Sequence, residues 1–156
     1  MSALRSPQPP ALTRSVEDYL KSVFHLTNQG GFATTSGIAE MLEVAPPSVS
    51  GMMKRLSETG LIEHVPYRGV QLTPQGRRAA LQMIRRHRIL ESYLTSQLGY
   101  DWGDVHVEAE RLEHAVSDEL IERMAGALGD PRYDPHGEPI PTAAGEIGRA
   151  SCRERV

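Results

Sequence analysis

The chain has 156 residues, 39% of them hydrophobic and only 5% aromatic, with a net charge of −3. That supplies one aliphatic core or two small lobes, and no apolar run approaches the roughly 20 residues of a membrane span. The N-terminus, MSALRSPQPPALTR, lacks the apolar stretch of a secretory signal, so a cytoplasmic location is expected.

Residues 1–14 carry three prolines and read as a disordered arm. Ser15 is placed to cap a first helix, on which Val16, Leu20, Val23, Phe24 and Thr27 follow the 3.6-residue repeat until NQGG ends it. A short second helix starts at Thr35 or Ser36 and carries Ile38, Ala39, Met41 and Leu42. After the turn EVAPPS, Pro46 and Pro47 open a third helix that buries Val49, Met52, Met53 and Leu56 and stops at Gly60. LIEHV and VQL alternate like strands around PYRG. Thr73 and Pro74 are a cap and a first-turn proline for a long helix to about Leu98. Asp101 or Asp104 opens a fifth helix, and Ser117 caps a sixth, SDELIERMAGAL. The segment DPRYDPHGEPIP, with four prolines, reads as a turn-rich loop or linker. The final residues, IGRASCRERV, resemble a translated sequencing-adaptor fragment, so no thiol argument rests on Cys152, the single cysteine.

Helix, short helix, turn, third helix and hairpin is the order of a winged helix-turn-helix. The expected fold is therefore mostly α. A winged helix DNA-binding domain over 15–75 precedes a helical domain over 76–130, a proline-rich linker over 131–146 and a non-native tail over 147–156. Charge segregates accordingly. From Ser48 to Arg88 there are 8 basic and 2 acidic residues, whereas residues 101–146 hold 3 basic and 12 acidic, a segregation that fits a polyanion-binding part beside a cation-binding part and equally two differently solvated faces. The third helix normally presents its N-terminal residues to base edges. Ser48 and Ser50 offer short hydrogen-bonding groups there, Gly51 permits close approach, and Lys54, Arg55 and the wing residue Arg68 reach phosphates. Read alone, the serines also serve as helix caps and the cations as solvated charges.

The stretch DVHVEAERLEH places His106, Glu110, Glu113 and His114 at spacings of four, three and one, on one helical stripe. Such a stripe is costly to bury unless a cation joins it. His87 and Glu91 stand four apart on the long helix, and Asp18 lies near the start of the first. Oxygen-rich sites with one or two imidazoles suit Mn²⁺ or Fe²⁺, and a cysteine-based zinc site lacks its ligands. Taken singly, His87 and Glu91 also fit an exposed helical pair, His106 a surface histidine, and Asp18 a helix-dipole partner. Two rival readings stay open at this level. One is a winged helix regulator that answers to a small molecule. The other is a metallohydrolase, for which no zincin HExxH or phosphate loop is present.

SVEDYLKSVFHL, IAEMLEVAPPSVSGMMKRL, GVQLTPQG, RRHRILE and VHVEAERLEHAVSDELIERM together resemble the diphtheria toxin repressor and manganese transport regulator family, from about Ser15 to Pro141. The resemblance implies a dimeric, metal-activated transcriptional repressor of metal-homeostasis genes, not an enzyme, acting on double-stranded operator DNA. It implies a primary metal site of Asp18, Glu110, Glu113 and His114, and a second of His87, Glu91 and His106. In the iron-responsive branch the positions of Asp18 and Glu110 carry Met and Cys, so the carboxylates here favour manganese. Lys21 departs from the manganese branch, which carries a second ligand carboxylate there and in which His87 would complete the site around Asp18, so the resemblance leaves both geometries open. Full-length relatives in the iron branch continue into an SH3-like domain, whose linker PHGEPIP resembles. A metal would tie the first helix to the fifth, and without it the clustered carboxylates are expected to repel. Leu90, Leu94, Leu112, Val116, Leu120 and Met124 suit a dimer interface, and core packing explains them equally well.

Overall fold

The computed structural model describes residues 12–148, so most of the N-terminal arm and most of the tail, Cys152 included, lie outside the described residues. In chain order the elements are α1 (Arg14–Thr27), α2 (Thr35–Leu42), α3 (Pro46–Glu58), β1 (Ile62–Val65), β2 (Gly69–Leu72), α4 (Pro74–Leu98), α5 (Val105–Glu113) and α6 (Asp118–Ala127). This is the expected mostly α architecture, a winged helix followed by a helical domain. Among the described residues no helix is long and apolar enough to cross a membrane.

Local chemistry explains where the helices start. Thr13, not Ser15, caps α1, its hydroxyl accepting the Val16 amide at 3.3 Å while Leu12 packs on the core. Thr34 caps α2 through the Gly37 amide at 3.1 Å, so the helix begins at Thr35, one of the two starts read from sequence. Each region offers two or three adjacent hydroxyls, and flanking apolar contacts select among them. Thr73 caps α4 as read, accepting from the Gly76 amide at 3.1 Å and donating to the Gly60 carbonyl at 2.7 Å. A Cβ on Gly76 would meet the Leu61 carbonyl oxygen at 1.9 Å, so only glycine lets α4 settle against the start of the wing.

The wing is a two-stranded antiparallel sheet with Ile62 opposite Leu72 and Val65 opposite Gly69. A bridge between Ala33 and Val70 fastens it to the α1–α2 connection. Two apolar cores lie along α4. Leu20, Phe24, Ile38, Val49, Leu56 and Leu81 belong to the first, inside the winged helix. Ile89, Leu90, Ala109, Ile121, Ala125 and Ile140 form the second. Each large aliphatic side chain fully buried in this way contributes about 1.5–3 kcal/mol.

The proline-rich segment packs on the body. Asp134 Oδ1 accepts the amides of His136 and Glu138 at 2.9 and 2.8 Å, and Arg85 donates to the Pro141 carbonyl at 2.8 Å. Ile140 thereby enters the second core. Of the apolar residues considered for an interface, Leu90 and Leu94 are core, and Leu112, Val116 and Met124 pack against it. Leu120 is exposed, as are Leu98, Trp102 and Val107 around the α4–α5 turn.

Candidate metal centre and nucleic-acid face

α1 buries Leu20, Val23 and Phe24 in the first core and turns its other side, with Asp18 and Lys21, toward α5. His87 and Glu91 stand one turn apart on α4, and α5 brings His106, Glu110 and Glu113 alongside them, with His114 as its C-cap. A cavity of about 620 Å³ opens between these helices and the loop after α6.

Three groups of donors lie with their ligand atoms within 4.8 Å of one another: Asp18, Glu113 and His114; His87, Glu91 and His106; and Glu91, Asp134 and His136. In the first, His114 Nε2 is 3.1 Å from Asp18 Oδ1 and 3.3 Å from Glu113 Oε1. In the second, His106 Nδ1 is 3.0 Å from both Glu91 Oε1 and His87 Nε2. In the third, His136 Nδ1 is 3.1 Å from Glu91 Oε2. Glu113 joins the first two, because its Oε2 lies 2.5 Å from His87 Nδ1.

Glu110 is brought elsewhere than its implied partners. It lies 3.2 Å from His106 Nε2, half exposed, while Asp18, Glu113 and His114 meet without it. Residue 106 is one turn before 110 on α5, so the pairing is a local i,i+4 contact. Asp134 and His136, absent from the sequence reading, are supplied by the loop after α6. The spacing DPH was visible, but the contact with Glu91 is long-range. Glu17, also not singled out, stands 3.5 Å from His114 Nδ1.

The electrostatics fit a hard dication. Burial pushes the Glu17 carboxyl up, and both its Oε2 and His114 Nδ1 are buried without a hydrogen-bond partner. Burial alone would depress His87, yet hydrogen bonds and charge from Glu113 and Glu91 raise it to about 9. Burial would raise Glu91, but His87 and His106 hold it down at about 2. Glu113 is lowered likewise, by His87 and Lys21 acting against its burial. Carboxylates and imidazoles crowded this closely match the oxygen and nitrogen set preferred by Mn²⁺ or Fe²⁺.

In the winged helix, Ser48, Ser50, Gly51, Lys54 and Arg55 are exposed along α3, while Val49, Met53 and Leu56 turn inward. Arg68 sits at the wing with its guanidinium 5.6 Å from the Phe32 ring centroid, within cation–π range. Neighbouring Tyr67, with φ 65°, is fully exposed at the wing tip and was not read from sequence.

Comparison with known proteins bears on both faces. Residues 11–70 match the iron dependent repressor N-terminal DNA binding domain, and residues 73–142 match the iron dependent repressor metal binding and dimerisation domain. The diphtheria toxin repressor of Corynebacterium glutamicum is 39% identical over 88% of this chain and 60% of its own length. The HTH-type transcriptional regulator MntR of Lysinibacillus sphaericus is 35% identical over 72% of this chain and 81% of its own. A solved manganese-dependent transcriptional repressor in complex with manganese superposes with a TM-score of 0.78 at 46% identity, over 85% of this chain and 61% of that one. The chain thus spans about three fifths of the Corynebacterium relative and of that solved repressor.

Proposed function

The chain belongs to the family of metal-dependent regulators that includes diphtheria toxin repressor and MntR, and from that premise we propose that it is a cytoplasmic, homodimeric repressor activated by Mn²⁺ or Fe²⁺. The observation that carries the reading is the meeting of Asp18, from the winged helix, with Glu113 and His114, from the helical body. When bound, a hard dication supplies positive charge at a point that ligands from both lobes share. His114 and Glu113 hold the body side of that point and Asp18 holds the reading side. Because α1 is welded into the first core, a shift at Asp18 carries α3 and the wing with it.

The DNA roles follow. Ser48, Ser50 and Gly51 approach base edges, and Lys54, Arg55 and Arg68 hold phosphates. The serines cannot make the bidentate contacts of Arg or Asn, so selectivity leans on DNA shape and backbone contacts. A second copy is expected to cover Leu98, Trp102 and Val107, the apolar residues exposed around the α4–α5 turn. His87, Glu91 and His106, joined by Asp134 and His136, serve as the second site.

The test begins with genomic fragments retained by the protein in Mn²⁺ and released by a chelator. On such a fragment, Mn²⁺ should raise wild-type affinity by roughly 5- to 150-fold. Asp18→Ala should lose most of that response. An equal metal response in both proteins, or firm retention after complete metal stripping, refutes the reading.

A further inference from the structure

Lys21 lies one turn beyond Asp18 on α1 and reaches across to α5. Its Nζ stands 2.5 Å from Glu113 Oε1, with the lysine side chain only 16% exposed and the glutamate 1%. That same oxygen is the one 3.3 Å from His114 Nε2. Glu113 Oε1 is therefore claimed twice, once by a fixed ammonium and once by the group that contains Asp18 and His114. A protonated ammonium has three donors and no lone pair, so it pairs with the oxygen but cannot ligate a metal. It also repels any cation brought to the same point.

We propose that Lys21 is a resident counter-ion of the metal centre, holding in the metal-free protein the carboxylate oxygen that a dication has to win. The inference rests on the metal-regulator reading above and adds a residue that sets its threshold. In the metal-free state Lys21 neutralises Glu113 and fastens α1 to α5, replacing the open repulsion among carboxylates that the ligand pattern alone suggests. For a dication to take Glu113 Oε1, the Lys21 ammonium has to leave it for the adjoining cavity, which Lys21 already lines. The residue thus shifts the response toward higher metal concentration while stabilising the form that waits for metal. A residue that merely positioned Glu113 for the metal would have the opposite effect on affinity.

The sign of the effect separates the two. Mn²⁺ binding is followed by electron paramagnetic resonance of the free ion, and the binding step of interest is the one Asp18→Ala abolishes. Lys21→Met should tighten that step by about tenfold, since one repelling charge and one competitor are gone. The same variant, free of metal, should unfold at lower temperature. Lys21→Arg, which keeps a cation at the carboxylate, should stay near wild type in both measurements. Should Lys21→Met fail to fold, Lys21→Gln is read in its place. Unchanged or weaker Mn²⁺ binding in the neutral variant overturns the proposal while leaving the metal centre intact. A wild-type protein with no Asp18-dependent step overturns the metal-regulator reading itself, and this proposal with it.

Discussion

The two principal donor groups share α5 yet are anchored differently. Asp18, Glu113 and His114 straddle the lobes, one donor standing on α1 of the winged helix and two at the end of α5 in the body. His87, Glu91 and His106 come from α4 and α5 alone, the pair on which the body is built. The first group is balanced by Lys21 and retains unpaired buried atoms at Glu17 and His114. In the second, His87 lies between its own Glu91 and the Glu113 of the first group. A site within one rigid unit can stabilise that unit, whereas only a site shared between units can change how they sit together.

The most severe way to break the comparison is to remove the residue common to both groups. Glu113 is fully buried, paired with Lys21 on one oxygen and His87 on the other. Glu113→Ala strands both cations, and the loss of a buried partner typically costs about 3–5 kcal/mol. Thermal unfolding of the metal-free protein should fall accordingly, and Mn²⁺ binding should weaken at both groups. Loss confined to one group would show that the two are independent.

A change of pH probes the second group with no substitution. The pKa of His87 is about 9 in the fold against 6.5 for an ordinary histidine, so its pairing contributes fully below pH 6.5 and is lost as pH rises through 9. Glu91, held at about 2, contributes above 4.5 and loses that contribution as pH falls through 2. Metal-free stability should therefore be greatest between these limits and decline by about 3 kcal/mol from pH 6.5 to above 9, measured by denaturant unfolding. Metal binding has the opposite slope, because a ligating imidazole must be neutral. Mn²⁺ uptake at pH 7 should release a proton from His87, detectable by calorimetry in buffers of different ionisation enthalpy. A flat stability profile across that range would deny the internal pairing.

Paired substitutions sharpen the contrast further. Asp18→Asn should remove about 1–3 kcal/mol of coupling between Mn²⁺ and DNA, whereas His106→Ala, at an exposed candidate donor internal to the body, should cost DNA coupling far less than it costs Mn²⁺ stoichiometry. Equal losses of coupling would erase the distinction drawn from their anchoring.

What the sequence disclosed and withheld follows the same divide between local and distant contacts. The helices were legible because the 3.6-residue repeat of residues such as Leu20, Val23 and Phe24 is local, as are the Thr73 cap and the ligand spacing of α5. The Asp18 and Glu113 partnership came from family resemblance and not from periodicity. Lys21 was visible as a departure, but its partner lies 92 residues along the chain, and no spacing rule links them. Asp134 and His136 were passed over because prolines around them signal a loop, while Asp134's own hydrogen bonds to following amides fix that loop against Glu91. The family resemblance set Glu110 with Asp18, Glu113 and His114 and apart from His106, whereas in the fold it lies against His106, its i,i+4 neighbour on the same helical stripe.

The gentlest test uses the protein's own fluorophore. Trp102 is the only tryptophan, and its ring centroid is 5.1 Å from that of His136. His136 in turn shares Glu91 with the second group. A paramagnetic ion held by Glu91 and His136 lies beside the indole and should quench it most strongly, since His136 touches the indole and belongs to that donor group and not to Asp18, Glu113 and His114. Quenching during a Mn²⁺ titration should therefore persist in Asp18→Ala and disappear in Glu91→Gln. DNA affinity should show the reverse dependence on Asp18. If quenching and DNA binding instead rise together and vanish together in Asp18→Ala, the lobe-bridging and body-internal groups fill as one unit, and their separate roles collapse into a single site.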